Sequence, residues 1–219
     1  MFAGFDFDVL IKSLPFLWLG MQLTLQLTVL AVGGGLILGT VLAVIRLSPI
    51  KPLSMAVAAY VNFLRSMPLI LVIFWFYTLI PRVTGTSVSS FYSVLIAFIM
   101  FEAAYYSEII RAGISSVRRG QISAALALGL TPPQAMRYVV LPQAVRNMIP
   151  VLLTQSIIML QDTSLVYVVG LRDFLTSAEI VAGRDNRPIE LYLTVALVFL
   201  VVCFSASRLV NLMRRRYSL

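Results

Sequence analysis

Few side chains in this sequence can do acid–base or ionic chemistry, and several of those sit inside apolar runs. Nine acids and 17 lysines and arginines share 219 residues, and histidine is absent. Glu102, in FIMFEAAYYSEIIRAG, lies somewhat past the middle of one such run. Tyr105 and Tyr106 follow three and four residues later, on the same face if the run is helical. An ionisable group within a bilayer is expensive, which makes it a functional candidate by default. A carboxylate at that depth could hold the ammonium group of an amino acid in transit, could be protonated, or could hydrogen-bond across an interface. Glu108 and Arg111, three residues apart, are helix neighbours and form a structural ion pair. Further along, Gln155, Met159 and Asp162 fall at i, i+4 and i+7 on one helical face. They either line a path opposite the Glu102 run or satisfy their neighbours at a packed interface. Glu102, Tyr105, Gln155, Met159 and Asp162 are thus the candidates for a substrate path. Gln155 and Tyr105 can donate to an acidic side chain, but no arginine is expected at the midplane beside them. Selectivity for acidic amino acids therefore does not follow from these residues.

Other chemistry is excluded. Without histidine there are no His-ligated metals and no His proton relay, and no metal site is expected. Cys203 is the one cysteine, so an intramolecular disulfide cannot form. A phosphate-binding loop needs G-x-x-x-x-G-K-[ST], yet the two lysines, Lys12 and Lys51, both follow isoleucine. The chain is not an ATPase, and any ATP chemistry belongs to a partner.

The elements that position these groups must be membrane helices. Hydrophobic residues make up 60% of the chain and charged ones 12%, against about half and a quarter in soluble domains. The net charge of +8 is better explained by the excess of Lys and Arg that membrane proteins keep in cytoplasmic loops than by nucleic acid. At about 20 residues per crossing, the uncharged runs give five spans, at about 14–45, 58–80, 90–113, 146–170 and 191–213. The fold class is therefore all-α and polytopic, with a transmembrane domain over 13–213. Residues 1–12, which hold Asp6 and Asp8 and lack the positive start of a signal peptide, are read as a mature outer tail, and 214–219 as an inner one. Five spans put the termini on opposite sides. Placing the C-terminus inside puts Arg46, Lys51, Arg65 (near the start of the second span), Arg111, Arg118, Arg119, Arg137, Arg146, Arg208 and Arg214 to Arg216 on or near the cytoplasmic side, twelve of the 17 cations. In the first span, Gly35 and Gly39 form GLILG, which either permits close helix contact or reflects the general frequency of glycine in membrane helices.

The loop at 114–145 is too broken to be a span. Gln121 to Leu128 is rich in Ala and Leu, good helix formers. Gly129 suits the left-handed position past a helix end. Thr131-Pro132-Pro133-Gln134 has the form of a capping box with proline at the first helical position. A second helix is expected from Pro132 to Val140, and Pro142 is expected to stop it. Ser123, Ala124 and Ala125 present small side chains. The loop either docks another protein closely or lies on lipid.

Ser123-Ala124-Ala125, then three residues, Gly129, nine residues, and Val139-x-Leu141-Pro142 resembles the EAA loop of ABC-importer permeases, whose pattern ends in I-x-L-P. FLRSMPLILVIFWF, FEAAYYSEIIRAGI, LPQAVRNMIPVLLTQ and QDTSLVYVVG extend the likeness from about Ser13 to Arg216, and are similar to the type I permeases for polar amino acids, glutamate and aspartate above all. The resemblance implies a coupling helix carried by Ser123, Ala124, Ala125, Gly129, Leu141 and Pro142 that docks into a cleft on an ATP-hydrolysing subunit. It implies two ATPase subunits that hold ATP and magnesium, a second permease chain (identical or similar), a periplasmic solute-binding protein, and a bacterial inner-membrane location with surrounding lipid. No cofactor is expected in this chain. Ser123 stands where the motif has Glu: either it supplies a weaker hydrogen bond, or a paired permease chain carries the acid. A self-contained secondary transporter is the alternative, but its usual internal repeat is not visible. A channel or scaffold subunit is another, against which the coupling-type loop argues.

Overall fold

The computed structural model describes residues 5–85 and 88–217, with side chains as far as Arg214. The outermost parts of both expected tails, and the side chains of Arg215 and Arg216, lie outside the described residues. The described part is helical almost throughout. α1 is Phe7–Leu47, α2 Lys51–Arg65, α3 Leu69–Thr84, α4 Ser90–Ser115, α5 Arg119–Ala127, α6 Pro132–Ala135, α7 Leu141–Asp162, α8 Phe174–Asp185 and α9 Pro188–Tyr217. A π turn, Met136–Val140, joins α6 to α7, and a 3₁₀ turn, Thr163–Val169, extends α7. Among the described residues four helical stretches are long and apolar enough to cross a membrane, or five if α2 and α3 form one broken span.

α1 and α4 form the centre of the molecule and run side by side in the same direction. Gly34 meets Ile99, Gly35 meets Glu102, and Gly39 meets Tyr106 and Ala103. A Cβ at Gly35 would stand 2.7 Å from the Glu102 Cβ, and one at Gly39 would stand 2.9 Å from the Ala103 carbonyl oxygen. Both are closer than packed carbon atoms approach. Of the two readings of GLILG, close contact is therefore the one realised: the missing side chains let two backbones touch. The main core gathers Leu27 and Ala31 of α1, Val61 of α2, Val72 and Ile73 of α3, Phe98 of α4 and Met159 of α7. A second cluster joins Leu17 of α1 to α8 and α9 through Phe174, Val181 and Leu191. Large apolar residues such as Val29, Ile37, Leu197, Leu200 and Phe204 stay exposed, as a helix in lipid requires.

The structure corrects several expectations. α1 begins at Phe7, capped by Asp6, whose side chain accepts from the Asp8 amide, so residues 7–12 of the expected outer tail are helix. The second span is not one helix: α2 starts at Lys51, ends at Arg65, and meets α3 at a bend of 109°. Pro68 precedes α3 with extended backbone, and a residue before proline disfavours the helical region. Pro142 does not stop its helix. Leu141 N–H donates to the Met136 carbonyl five residues back, and this one wide turn makes room for the proline ring that an α turn would push into a carbonyl. The helical path from Pro132 thus continues into α7. The stretch after Gly170, expected as an outer loop, contains α8. Buried Asp173 caps it, accepting from Leu175 N–H at 3.1 Å and Thr176 N–H at 3.0 Å.

Candidate functional site

The expected path residues meet where α4 faces α7. Gln155 donates from Nε2 to Glu102 Oε1 across 3.0 Å, and this contact is buried. Glu102 is fully enclosed, and its Oε2 has no hydrogen-bond partner among the described residues. Tyr106, not Tyr105, shares its surroundings: Tyr106 packs on Gly35 and Gly39, and its hydroxyl lies 3.0 Å from Ser156 Oγ. Tyr105 turns away. Its ring is 5.0 Å from that of Phe101, and the Arg65 guanidinium sits 5.3 Å over it. Met159 is fully buried in the core, and Asp162 lies at the end of α7, a further turn away. The five candidates thus separate. Glu102 and Gln155 form one buried pair, Tyr105 and Gln155 line a cavity of about 390 Å³, and Met159 packs.

That cavity opens between the C-terminal half of α4 and the first half of α7. Arg65, Tyr105, Glu108, Ser116, Asn147 and Gln155 are the polar residues on its wall. Glu108 pairs with Arg111, as the spacing predicts, and also with Arg46 of α1. One carboxylate therefore ties the C-terminal ends of α1 and α4 together. The Arg46 contact was not legible, because the two residues stand 62 positions apart. Asn147 Nδ2 donates to Ser116 Oγ at 2.9 Å, linking two residues of the cavity wall.

The loop is built as expected in its turn chemistry. Gly129 has φ +85, and the Gly129 and Leu130 amides donate back to Leu126 and Ala125 carbonyls at 3.0 and 3.2 Å, which satisfies the end of α5. Gln134 Oε1 accepts from the Thr131 amide at 2.8 Å, completing one arm of the capping box. Val117, Val140 and Ala144 form a small core with Ile114 and Ile122 beside it, so α5 and the π turn are fastened to the start of α7. Ser123 and Ala124 are exposed, Ala125 is buried, and Gly129, Leu141 and Pro142 are exposed. Leu126 and Leu128 are exposed as well, Leu128 at 84%. A short helix with a small-residue, apolar outer edge thus projects from the end of the helical bundle.

These features are a bundle of membrane-crossing helices, a projecting helix fastened to one of them, and a polar cavity between α4 and α7. They fit a membrane subunit of a solute transporter. A family model described as binding-protein-dependent transport system inner membrane component matches residues 35–219, and the chain belongs to that family. It is 49% identical to the glutamate/aspartate import permease protein GltK of Escherichia coli, over 97% of this chain and 98% of that one. It is 36% identical to the probable glutamine ABC transporter permease protein GlnM of Bacillus subtilis, over 90% of this chain and 91% of that one. A solved amino acid ABC transporter with histidines superposes with a TM-score of 0.91 at 35% identity, covering 96% of this chain and 98% of that one. A chain of the inward-facing MetNI methionine ABC transporter, covering 93% of this chain and 97% of that one, gives a TM-score of 0.76 at 21% identity, and shares the fold. The chain is a multi-pass permease subunit of an ABC importer in the inner membrane, it is not itself an enzyme, and it works in a complex with ATPase and permease partners.

Proposed function

We propose that this permease subunit carries an acidic amino acid, glutamate or aspartate, delivered by a periplasmic solute-binding protein. The observation that carries the substrate is the 49% identity to a glutamate/aspartate import permease over nearly the whole of both chains. In this reading the N-terminus is outside and the C-terminus inside, which the charge distribution supports. The projecting edge at Ser123, Ala124 and Gly129, continued by Leu141 and Pro142, docks on a partner ATPase that holds ATP and magnesium, and this chain holds no cofactor of its own. Tyr105 and Gln155 line the path, and Glu102 fixes Gln155 from behind. The π turn and the Val117–Val140–Ala144 core transmit movement of the docked helix directly to α7. A second permease chain, identical or similar, supplies the other wall. Uptake of labelled glutamate by the reconstituted complex, driven by ATP, is the test of the substrate; uptake of other amino acids with none of glutamate or aspartate would overturn it. Docking is tested separately. Ser123→Cys should cross-link to an engineered cysteine in the ATPase cleft, and failure at every cleft position would refute the contact.

A further inference from the structure

Arg65 is a cation of this cavity that makes no ion pair among the described residues. It ends α2, at the bend into α3, and its guanidinium lies over the Tyr105 ring. The ring and the last carbonyls of α2 favour a cation there, but neither brings a full negative charge. Among the described residues the ion pairs are Arg46 and Arg111 with Glu108, Arg184 with Asp185, and Arg187 with Glu190. Glu108 is the acid on the cavity wall, and its two oxygens are taken by Arg46 and Arg111. Arg46 and Arg111 thus hold the Glu108 carboxylate, while Arg65 lines the same cavity without an ion pair among the described residues. By helical rise, Tyr105 lies about 15 Å from the C-terminal end of α4, within the crossing segment, where an uncompensated charge is costly. The opposite wall has the complementary character. Gln155 spends Nε2 on Glu102, which leaves its carbonyl Oε1 as the atom able to accept from a ligand. The volume, about 390 Å³, falls within the range of roughly 300–1,000 Å³ usual for small-molecule sites.

From this geometry we infer that Arg65 binds a carboxylate of the transported amino acid, with Gln155 Oε1 accepting from its ammonium group. The inference rests on the amino acid reading above and adds the residue that sequence analysis lacked, a planar donor fork suited to bidentate carboxylate binding. Its test uses the whole complex. Arg65→Gln, in a complex that still assembles with its ATPase, should lower glutamate uptake by about ten- to a hundred-fold, the size of a lost charge-assisted contact. Arg65→Lys, which keeps the charge and loses the fork, should fall between. Wild-type uptake by Arg65→Gln would overturn the inference. Where Arg65→Gln does not assemble, the wild-type complex decides: phenylglyoxal modification of Arg65, mapped by mass spectrometry, should be suppressed by glutamate. Equal modification with and without glutamate would sink the assignment. Protection by glutamine would place the α-carboxylate on Arg65, and protection by γ-aminobutyrate the side-chain carboxylate. If the wild-type complex imports some other amino acid, the substrate reading fails, and protection by that amino acid still tests Arg65.

Discussion

At Gly39 the backbone of α1 lies against that of α4, and the contact admits no side chain. An added Cβ would sit 2.8 Å from the Tyr106 Cβ and 2.9 Å from the Ala103 carbonyl oxygen. The oxygen belongs to a helix backbone and cannot swing aside. Gly39→Leu should therefore destabilise the protein by at least about 1–3 kcal/mol. Gly33→Ala, where nothing lies within 4 Å, serves as the control and should leave stability unchanged. Melting of the two variants in one detergent checks this, and equal melting would contradict the close approach. Glu108 is the polar counterpart of this seam. Its partners Arg46 and Arg111 have side chains 13% and 35% exposed, so the cluster lies between a surface pair of under about 1 kcal/mol and a buried one whose breakage costs about 3–5. Glu108→Gln leaves Arg46 and Arg111 without their carboxylate, and should cost about 1–3 kcal/mol, read as a lowered melting temperature.

Elements show what local chemistry can and cannot specify. Gly129, Thr131 and Gln134 were legible because each acts on backbone groups a few residues away. The Glu108–Arg111 pair was legible for the same reason. The bend between α2 and α3 carried a signal in Met67-Pro68, but the apolar run across it is long enough for one crossing, and length masked the break. With the break unread, Arg65 was placed near the start of a span, and its position over Tyr105 went unseen. The π turn depends on where α5 and α7 pack, which no spacing encodes. α8 went unread, because its cap Asp173 lies in a stretch whose charges suggested a loop. That cap also provides a test. Burial pushes the Asp173 carboxyl up, while the hydroxyl and amide of Thr176 and the Leu175 amide pull it back, and the net shift is upward. A raised acid binds more protons folded than unfolded, so it lowers stability as pH rises from the ordinary aspartate range through its raised value. Asp173→Asn, which cannot titrate, should abolish that part of the slope in melting temperature against pH. Asp173→Ala should cost about 1–2 kcal/mol through lost capping. A slope unchanged in Asp173→Asn would show that another group produces it.

The whole molecule fixes the number of crossings by direction rather than by hydropathy. α1 and α4 lie in parallel: Gly34 with Ile99, Gly35 with Glu102, and Arg46 with Glu108 follow in the same order along both helices. A chain that leaves α1 on one side of the bilayer must begin α4 on the other. The connecting segment, α2 and α3, must therefore carry it back across, even though α2 and α3 are too sharply bent to be one helix. Counting the broken pair as one span, the four long apolar stretches and this pair make five crossings, the number that the proposed outer N-terminus and inner C-terminus require. Reporter fusions test this directly. A fluorescent protein that matures only in the cytoplasm should light up at the C-terminus and stay dark at the N-terminus, and a periplasmic phosphatase should give the reverse pattern. The same signal at both ends would mean that α2 and α3 return to the face they left. The argument from parallel packing would then fail, and with it the membrane depth that gives Arg65 its unpaired charge a cost.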